Sequence, residues 1–230
     1  MLPTPLRSEA DLPRWRKRED MTKTTQVTVF ALTGLTILAT LLPAGFAAEP
    51  TFSVTGLWES KYISEGRNNL ENGGLFSVDG NAEWHGATLG VWFATGDRES
   101  YEELNLSLEY GFSAGPVDAY IGYTRLEFLE EDENDNELSA GISISGLHWV
   151  IPGLDYTYAT EAEGGFLELS LRAEIALQEE RITIEPYILE GFDCGYASEE
   201  YDGANNLQVG LDITLALTDQ VRILGSVAHS

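Results

Sequence analysis

The sequence has little of what metal centres and nucleophilic active sites require. Its single cysteine, Cys194, allows no intramolecular disulfide and no thiolate cluster for zinc. Its three histidines are His85, His148 and His229. A membrane-embedded hydrolase is the enzymatic alternative. Its nucleophilic triad would need a histidine between a nucleophile and a carboxylate. None of the three histidines has the spacing to a serine that such a hydrolase would require. We therefore predict that the protein is not an enzyme and carries no cofactor.

Basic residues are also scarce. The chain has 13 Lys and Arg against 38 Asp and Glu, a formal net charge of −25. The imbalance lies after residue 48, where seven basic residues face 34 acidic ones. Nucleic acid is excluded as a partner, because phosphates attract clustered Lys and Arg. Such a surface suits divalent cations or plain solvation.

One uncharged apolar run, Val27–Leu42, lies near the N-terminus, and Lys23 precedes it. Gly45 and Ala47 place small residues at the −3 and −1 positions of a cleavage site after Ala47, as in a secretory signal peptide. The run is slightly short for a spanning helix, which needs about 20 apolar residues. We therefore predict a helical signal peptide over 21–48, cleaved after Ala47 or the next residue. An uncleaved membrane anchor is the alternative.

Residues 1–20 mix acidic and basic side chains and fit neither a signal peptide nor an anchor. Met21 would start a well-formed signal peptide. We interpret residues 1–20 as a non-native extension from a misplaced start codon. Residues 49–230 then form the folded domain.

After residue 48 the dominant hydrophobic pattern has a period of two. Over 104–112 leucine and aromatic residues alternate with polar ones, and 76–84, 167–177 and 207–217 repeat the pattern. Side chains alternate between faces only in a strand, and no convincing amphipathic helix follows residue 50. About eleven strands are predicted, over 52–66, 74–85, 87–95, 102–113, 117–129, 137–150, 154–160, 165–178, 181–192, 205–218 and 220–230.

The links between these strands alternate between tight turns and longer polar loops, as in outer-membrane barrels. Several strands have ten or more residues, which suits a tilted crossing of ~9–11 residues better than a sandwich strand of ~5–6. Aromatic residues near the strand ends resemble two interfacial girdles. The predicted girdles comprise Tyr62, Phe76, Phe93, Tyr101, Phe128, Tyr158, Phe166 and Phe192 on the loop side, and Trp84, Tyr110, Phe112 and Trp149 on the turn side.

The pattern thus predicts an all-β, antiparallel, up-and-down transmembrane β-barrel in the lipid of a bacterial outer membrane. Its expected role is a pore or a structural barrel that lets small solutes diffuse passively. The alternative is a soluble or surface-exposed β-sandwich binding module that uses its acidic loops.

The segment from Phe52 to Gly96 resembles the opening hairpins of a family of conserved hypothetical bacterial outer-membrane barrels, the Gcw_chp type. The residues that carry the resemblance are Tyr62, Gly66, Asp79, Trp84, Gly90 and Trp92. The family has no established reaction, so the resemblance implies an outer-membrane barrel and no particular chemistry.

An odd strand count predicts a chain that is truncated at its C-terminus. Single-chain bacterial barrels have an even number of antiparallel strands, and an unpaired edge in lipid leaves backbone groups unsatisfied. We therefore expect a missing loop and twelfth strand, and either an open seam between residues 52–62 and 220–230 or a strained direct pairing of the two.

If the apolar face meets lipid, the polar face lines a lumen with more acidic than basic groups, so any passage should favour cations. The candidate lumen residues are Asp79, Glu83, Asn105, Glu109, Glu168, Arg172, Glu174, Gln208 and Asp212.

Two acidic loops are weaker candidates for binding. Asp132, Asn134 and Asn136 have the i, i+2, i+4 spacing of calcium ligands, but Glu137 and Ser143 stand where an EF-hand needs Gly and Glu. A weak divalent-cation site or a solvated hairpin tip would explain this loop. The loop over 193–204 clusters carboxylates and tyrosines around the cysteine, and a variable surface loop is the favoured reading.

Overall fold

The structure is a computed structural model that describes the backbone of Leu32–Ala39 and residues 50–230 except 146, 148, 199 and 200. These residues form strands, turns and loops, and no helix occurs among them. The strands are β1 (Leu32–Ala39), β2 (Thr51–Glu59), β3 (Ile63–Ser64), β4 (Arg67–Asn68), β5 (Leu75–Trp84), β6 (Ala87–Gly96), β7 (Glu102–Ala114), β8 (Val117–Phe128), β9 (Glu133–Ile144), β10 (Val150–Ala159), β11 (Gly164–Ala173), β12 (Ile175–Leu177), β13 (Ile182–Cys194), β14 (Asp202–Ala216) and β15 (Val221–His229).

Thirteen of these strands form one antiparallel, up-and-down sheet. Its order is β11-β10-β9-β8-β7-β6-β5-β2-β1-β15-β14-β13-β12, and β11 also pairs with β13. β11 and β12 pair with β13 in one register, so they are two parts of one strand that is interrupted at Glu174. The short strands β3 and β4 form a hairpin in the connection between β2 and β5.

The eleven strands predicted after residue 50 are confirmed, with shifted limits. β9 begins at Glu133 instead of residue 137, so part of the expected acidic loop belongs to a strand, and β14 begins at Asp202 instead of residue 205. The first predicted strand ends at Glu59 instead of residue 66, and the chain then turns into the β3–β4 hairpin. The turn expected at 151–153 lies inside β10, because β9 ends at Ile144 and β10 begins at Val150. The chain therefore turns five residues earlier than its Pro-Gly dipeptide suggested.

The centre of the predicted signal peptide is a strand, so the helix expected there is not found in Leu32–Ala39. β1 pairs antiparallel with β2 on one side and with β15 on the other. It occupies the seam predicted between residues 52–62 and 220–230, so the expectation of an open seam or a direct pairing is wrong for this structure. β2 and β15 are both antiparallel to β1 and run in the same direction. Residues 1–31 and 40–49, with the predicted extension, lie outside the described residues.

Two small buried clusters lie at the end of the sheet that carries the longer loops. One contains Leu70, Leu75 and Ala94. The other contains Ala159, Ala162, Phe166, Tyr196 and Ala197. The middle of the sheet contributes to neither cluster, so apolar packing is concentrated at the loop end.

Candidate functional site

Strand register places the polar residues of successive strands on one continuous face of the sheet. Asp79 lies opposite Thr55 of β2, and Glu109 lies opposite Thr88 of β6. The opposite face is apolar and outward: Phe76 is 52% exposed, whereas its neighbour Ser77 is 7% exposed. Large apolar side chains therefore cover the outside, and polar side chains point to the concave side.

The polar face encloses a chamber of about 850 Å³ at the end with the tight turns. Its charged lining residues are Glu83, Glu109, Asp118, Asp155 and Arg172. Four carboxylates against one guanidinium make this chamber a region of negative potential.

Hydroxyl groups hold two of these carboxylates in place. The Tyr120 hydroxyl donates to Asp155 Oδ1 at 2.8 Å, and the Ser113 hydroxyl donates to Asp118 Oδ1 at 2.6 Å. These contacts orient the carboxylates without neutralising their charge, so they preserve the anionic character of the chamber.

Three of the nine predicted lumen residues, Glu83, Glu109 and Arg172, line this chamber together. The Arg172 guanidinium also lies over the Tyr187 ring, 5.7 Å from its centroid. The Gln208 amide donates to the hydroxyl of the same tyrosine at 2.8 Å. These residues therefore form one polar network across β11, β13 and β14.

The other predicted lumen residues are distributed along the same face. Asp79 accepts a hydrogen bond from Asn81 at 2.7 Å, and Asp212 accepts one from the Ser226 hydroxyl at 2.5 Å. Glu168 lies opposite Asp155 in the β10–β11 ladder. Two candidates lie outside this arrangement. Glu174 is exposed at the break between β11 and β12, and Asn105 lines a different cavity, at the loop end.

That second cavity, of about 140 Å³, is lined by tyrosines and carboxylates. Tyr62 and Tyr101 both donate to Glu103, which is 3% exposed, the first at 3.2 Å. Tyr196 donates to Glu137. Burial is the main cause that raises the pKa of each of these three loop tyrosines above its ordinary value. Their hydroxyls therefore remain protonated donors.

The predicted loop-side girdle is partly wrong. Phe128 and Phe166 are buried, and Tyr62 and Tyr101 pack against the small core at the loop end. Phe128 lies opposite Glu103, on the polar face, which is why it turns inward. The sequence alternation already indicates this for Phe128, which shares a face with polar neighbours, whereas the loop tyrosines give no periodic signal.

Several acidic loop residues accept hydrogen bonds from backbone N–H groups. Asp97 Oδ1 accepts from the Gly74 N–H at 2.8 Å, and this bond is the main cause that lowers the pKa of Asp97. Glu99 accepts from the N–H groups of Glu71 and Asn72 at 3.0–3.2 Å. These carboxylates fix the loop between β2 and β5 against the next loop.

Buried carboxylates do the same in two further loops. Asp135 Oδ1 accepts from the Glu161 N–H at 2.9 Å. Asp193 Oδ1 accepts from the N–H groups of Tyr196 and Ala197, and its Oδ2 accepts from that of Ser198. Loops that looked like binding sites are therefore held together by their own acidic groups.

The candidate calcium ligands Asp132, Asn134 and Asn136 do not converge on one point through the hydrogen bonds of the described residues. Asp132 lies in the turn with a positive φ of 53°, and Asn134 is exposed on β9. The Asn136 carboxamide oxygen accepts from the Tyr123 hydroxyl at 2.8 Å and from Arg125 at 3.2 Å. An oxygen that already faces a guanidinium is a poor cation ligand. In the part of the chain that the structure describes, no group of three or more His, Cys, Asp and Glu could hold a metal ion.

No protein-family model matches the chain, and no curated protein matches it. The resemblance of residues 52–96 to the Gcw_chp-type barrels stays a prediction. Among the described residues, no helix has the length and hydropathy needed to cross a membrane.

Proposed function

We propose that the protein is a bacterial outer-membrane β-barrel whose lumen lets small cations pass passively. This proposal depends on one observation: the apolar side chains of the sheet face outward and the polar side chains face inward, the reverse of a soluble protein. On β7 the outward residues include Leu106, Leu108, Tyr110 and Phe112, all exposed. Such a continuous apolar exterior is stable in hydrocarbon and costly in water, because exposed apolar area is unfavourable there.

A soluble β-sandwich, the other fold class with alternating strands, is not favoured by this arrangement. In a sandwich the apolar faces of two sheets pack against each other and the polar faces meet water. Here Leu89 and Leu169 lie outside, whereas Glu103 and Asp155 lie on the enclosed side. The acidic loops also offer less as a binding surface, since their buried carboxylates already accept backbone N–H groups.

Closure of the sheet into a barrel is supported by its pairings. β1 is hydrogen-bonded to β2 and β15, and β11 to β10 and β13, so the ladders connect twelve strand positions in a cycle. Neighbouring strands are about 4.8 Å apart. Along the sheet order β9 and β13 are nine positions apart, roughly 43 Å if the sheet were flat. Yet Tyr196, which follows β13, donates to Glu137 of β9. A tightly curled sheet brings them together.

Export through the N-terminal signal is part of the proposal, and it has a consequence for β1. Cleavage after Ala47 removes Leu32–Ala39 from the mature chain. β2 and β15 would then lose their common neighbour, and because they run in the same direction they could not pair antiparallel with each other. The mature barrel would need another antiparallel strand in that position.

Membrane fractionation tests the proposal together with the fate of β1. The protein should sediment with outer membranes, resist extraction by carbonate, enter detergent micelles and change its gel mobility on heating. Mass spectrometry of the extracted protein should place its N-terminus at Ala48 or Glu49. Recovery as a soluble protein without detergent would refute the barrel, and an intact Leu32–Ala39 segment would refute cleavage.

Ion selectivity is expected to follow the charge of the chamber. In a planar bilayer with a salt gradient, the reversal potential should indicate a preference for cations, and the preference should weaken at high salt because screening increases. Exchange of Glu83, Glu109 and Asp118 for their amides should reduce it. The matched control is the same exchange at Glu179 and Glu180, which lie in an exposed turn outside the chamber. A preference for anions in the unmodified protein would contradict the idea.

A further inference from the structure

The connection between β2 and β5, residues 60–74, crosses the loop-side opening of the sheet. We call it the strap. Its base is fixed on the side of β7, where the Tyr62 hydroxyl donates to Glu103 at 3.2 Å. The next loop also holds it, through Asp97 and Glu99. Along the sheet order, β7 is three strands away from β2.

The tip of the strap is fixed on the opposite side. The Asn205 amide of β14 donates to the Glu65 carbonyl oxygen at 2.6 Å. A Cβ at Gly66 would lie 2.7 Å from the Cβ of Asn206, so the tip touches β14. β14 is three strands from β2 in the other direction. The strap therefore extends between strands that are six positions apart in a cycle of twelve, which is the full width of the opening.

Arg67 places a positive charge of the strap in the small cavity at the loop end. The Arg67 guanidinium lies 3.4 Å from the Glu65 carboxylate and 5.9 Å from the centroid of the Tyr196 ring. Arg67 lines the same small cavity as Glu103 and Glu137, which come from β7 and β9. A positive charge at this point offsets repulsion between carboxylates that converge from different strands.

We propose that the strap is a gate that closes the loop end of the lumen, so that the acidic chamber opens only toward the turn end until the tip leaves β14. The tip is held across the opening by the Asn205 amide, the Gly66 contact and Arg67. The base is held on its own side by Tyr62, Asp97 and Glu99. The strap therefore opens by a swing of the β3–β4 hairpin about its base. This inference rests on the proposed barrel function.

Removal of the hairpin tests the gate. The Asn69 N–H donates to the Tyr62 carbonyl oxygen at 2.8 Å, so an Asn-Gly turn can replace residues 63–68 without strain on the base. Single-channel conductance in planar bilayers should rise several-fold. The matched control places Asn-Gly at Glu179–Glu180 in the turn between β12 and β13, where conductance should not change. A shortened variant that inserts into the bilayer and conducts no more than the unmodified protein overturns the gate.

A reversible lock provides a second measurement in the full-length chain. In a Cys194→Ser background, Arg67→Ala should raise conductance by freeing the tip. Adding Gly66→Cys and Asn206→Cys should abolish that increase under oxidising conditions once thiol titration shows the disulfide, and dithiothreitol should restore it. A Cβ at Gly66 would lie 2.7 Å from the Asn206 Cβ, so the hairpin tip must move away by roughly 1 Å to reach the Cβ separation of a disulfide. Conductance that does not respond to reduction overturns the gate. If the unmodified protein and its variants never enter lipid, the barrel function itself has failed, which fractionation reports separately.

Discussion

Replacing Leu108 with arginine is expected to prevent stable insertion or to lower the free energy of unfolding in a lipid bilayer by ~2–4 kcal/mol, the cost of a cation at the midplane of a barrel exterior. Leu108 is 50% exposed on the outward face and lies between Leu89 and Tyr123 of the neighbouring strands. The outward face becomes polar toward the loops, at Arg125 and Glu127, and exposed Trp84 marks the turn end. Leu108 is therefore near the centre of the apolar belt.

Glu109→Arg is the matched control, since it introduces the same side chain one residue further along β7. Glu109 points into the chamber, where an arginine meets water and carboxylates. Unfolding by urea in vesicles should therefore show a large loss for Leu108→Arg and a small change for Glu109→Arg. Equal losses would mean that the outward face does not meet lipid.

Replacing Asp193 with alanine is expected to lower the free energy of unfolding by about 3 kcal/mol, because buried N–H groups lose their acceptor. Asp193 is 1% exposed, and its two oxygens accept from three consecutive amides of the loop between β13 and β14 at 2.7–2.9 Å. Hydrogen exchange should quicken at the amides of residues 196–198. The contact of Tyr196 with Glu137 should weaken as the loop opens.

Asp193→Asn separates hydrogen bonding from the presence of a side chain. The amide oxygen can still accept from Tyr196 and Ala197, while the amide nitrogen faces the Ser198 N–H and cannot accept from it. We expect a loss of about 1 kcal/mol, well below that of alanine. If asparagine and alanine are equally damaging, the acceptor oxygens are not what stabilises this loop.

The long strands after residue 50 and their polar and apolar faces could be predicted from the sequence because alternation is a local property, whereas β1 and the β3–β4 hairpin could not. Leu104 to Phe112 carries it without interruption, and the structure has a strand there. The ends of the strands were harder to predict. Pro152-Gly153 looks like a turn, yet the residues lie inside β10, and the ladder with β9 begins only at Gly153. A local pattern cannot reveal where a neighbouring strand stops pairing.

Some of the residues that line the chamber could be predicted from the sequence. The contacts that place the strap across the loop end could not. Glu83, Glu109 and Arg172 follow from strand parity alone, since each lies on the polar side of a regular strand. The loop-end cluster depends on contacts such as Tyr196 with Glu137, which are far apart in sequence and belong to different strand pairs. No periodicity encodes such a contact, so the strap and its partners became visible only in the structure.

Nearly every ladder of the sheet joins strands that follow one another along the chain; the ladder of β1 with β15 is the exception, with Leu32 opposite Ser226. Hairpins between neighbours form early, because little chain entropy is lost in bringing their strands together. Whichever strand lies beside β15 must be brought back across almost the whole sequence. Folding should therefore proceed as a fast series of hairpin additions followed by one slow joining step, and the edge of β15 stays open to solvent, chaperones or other chains until that step is complete.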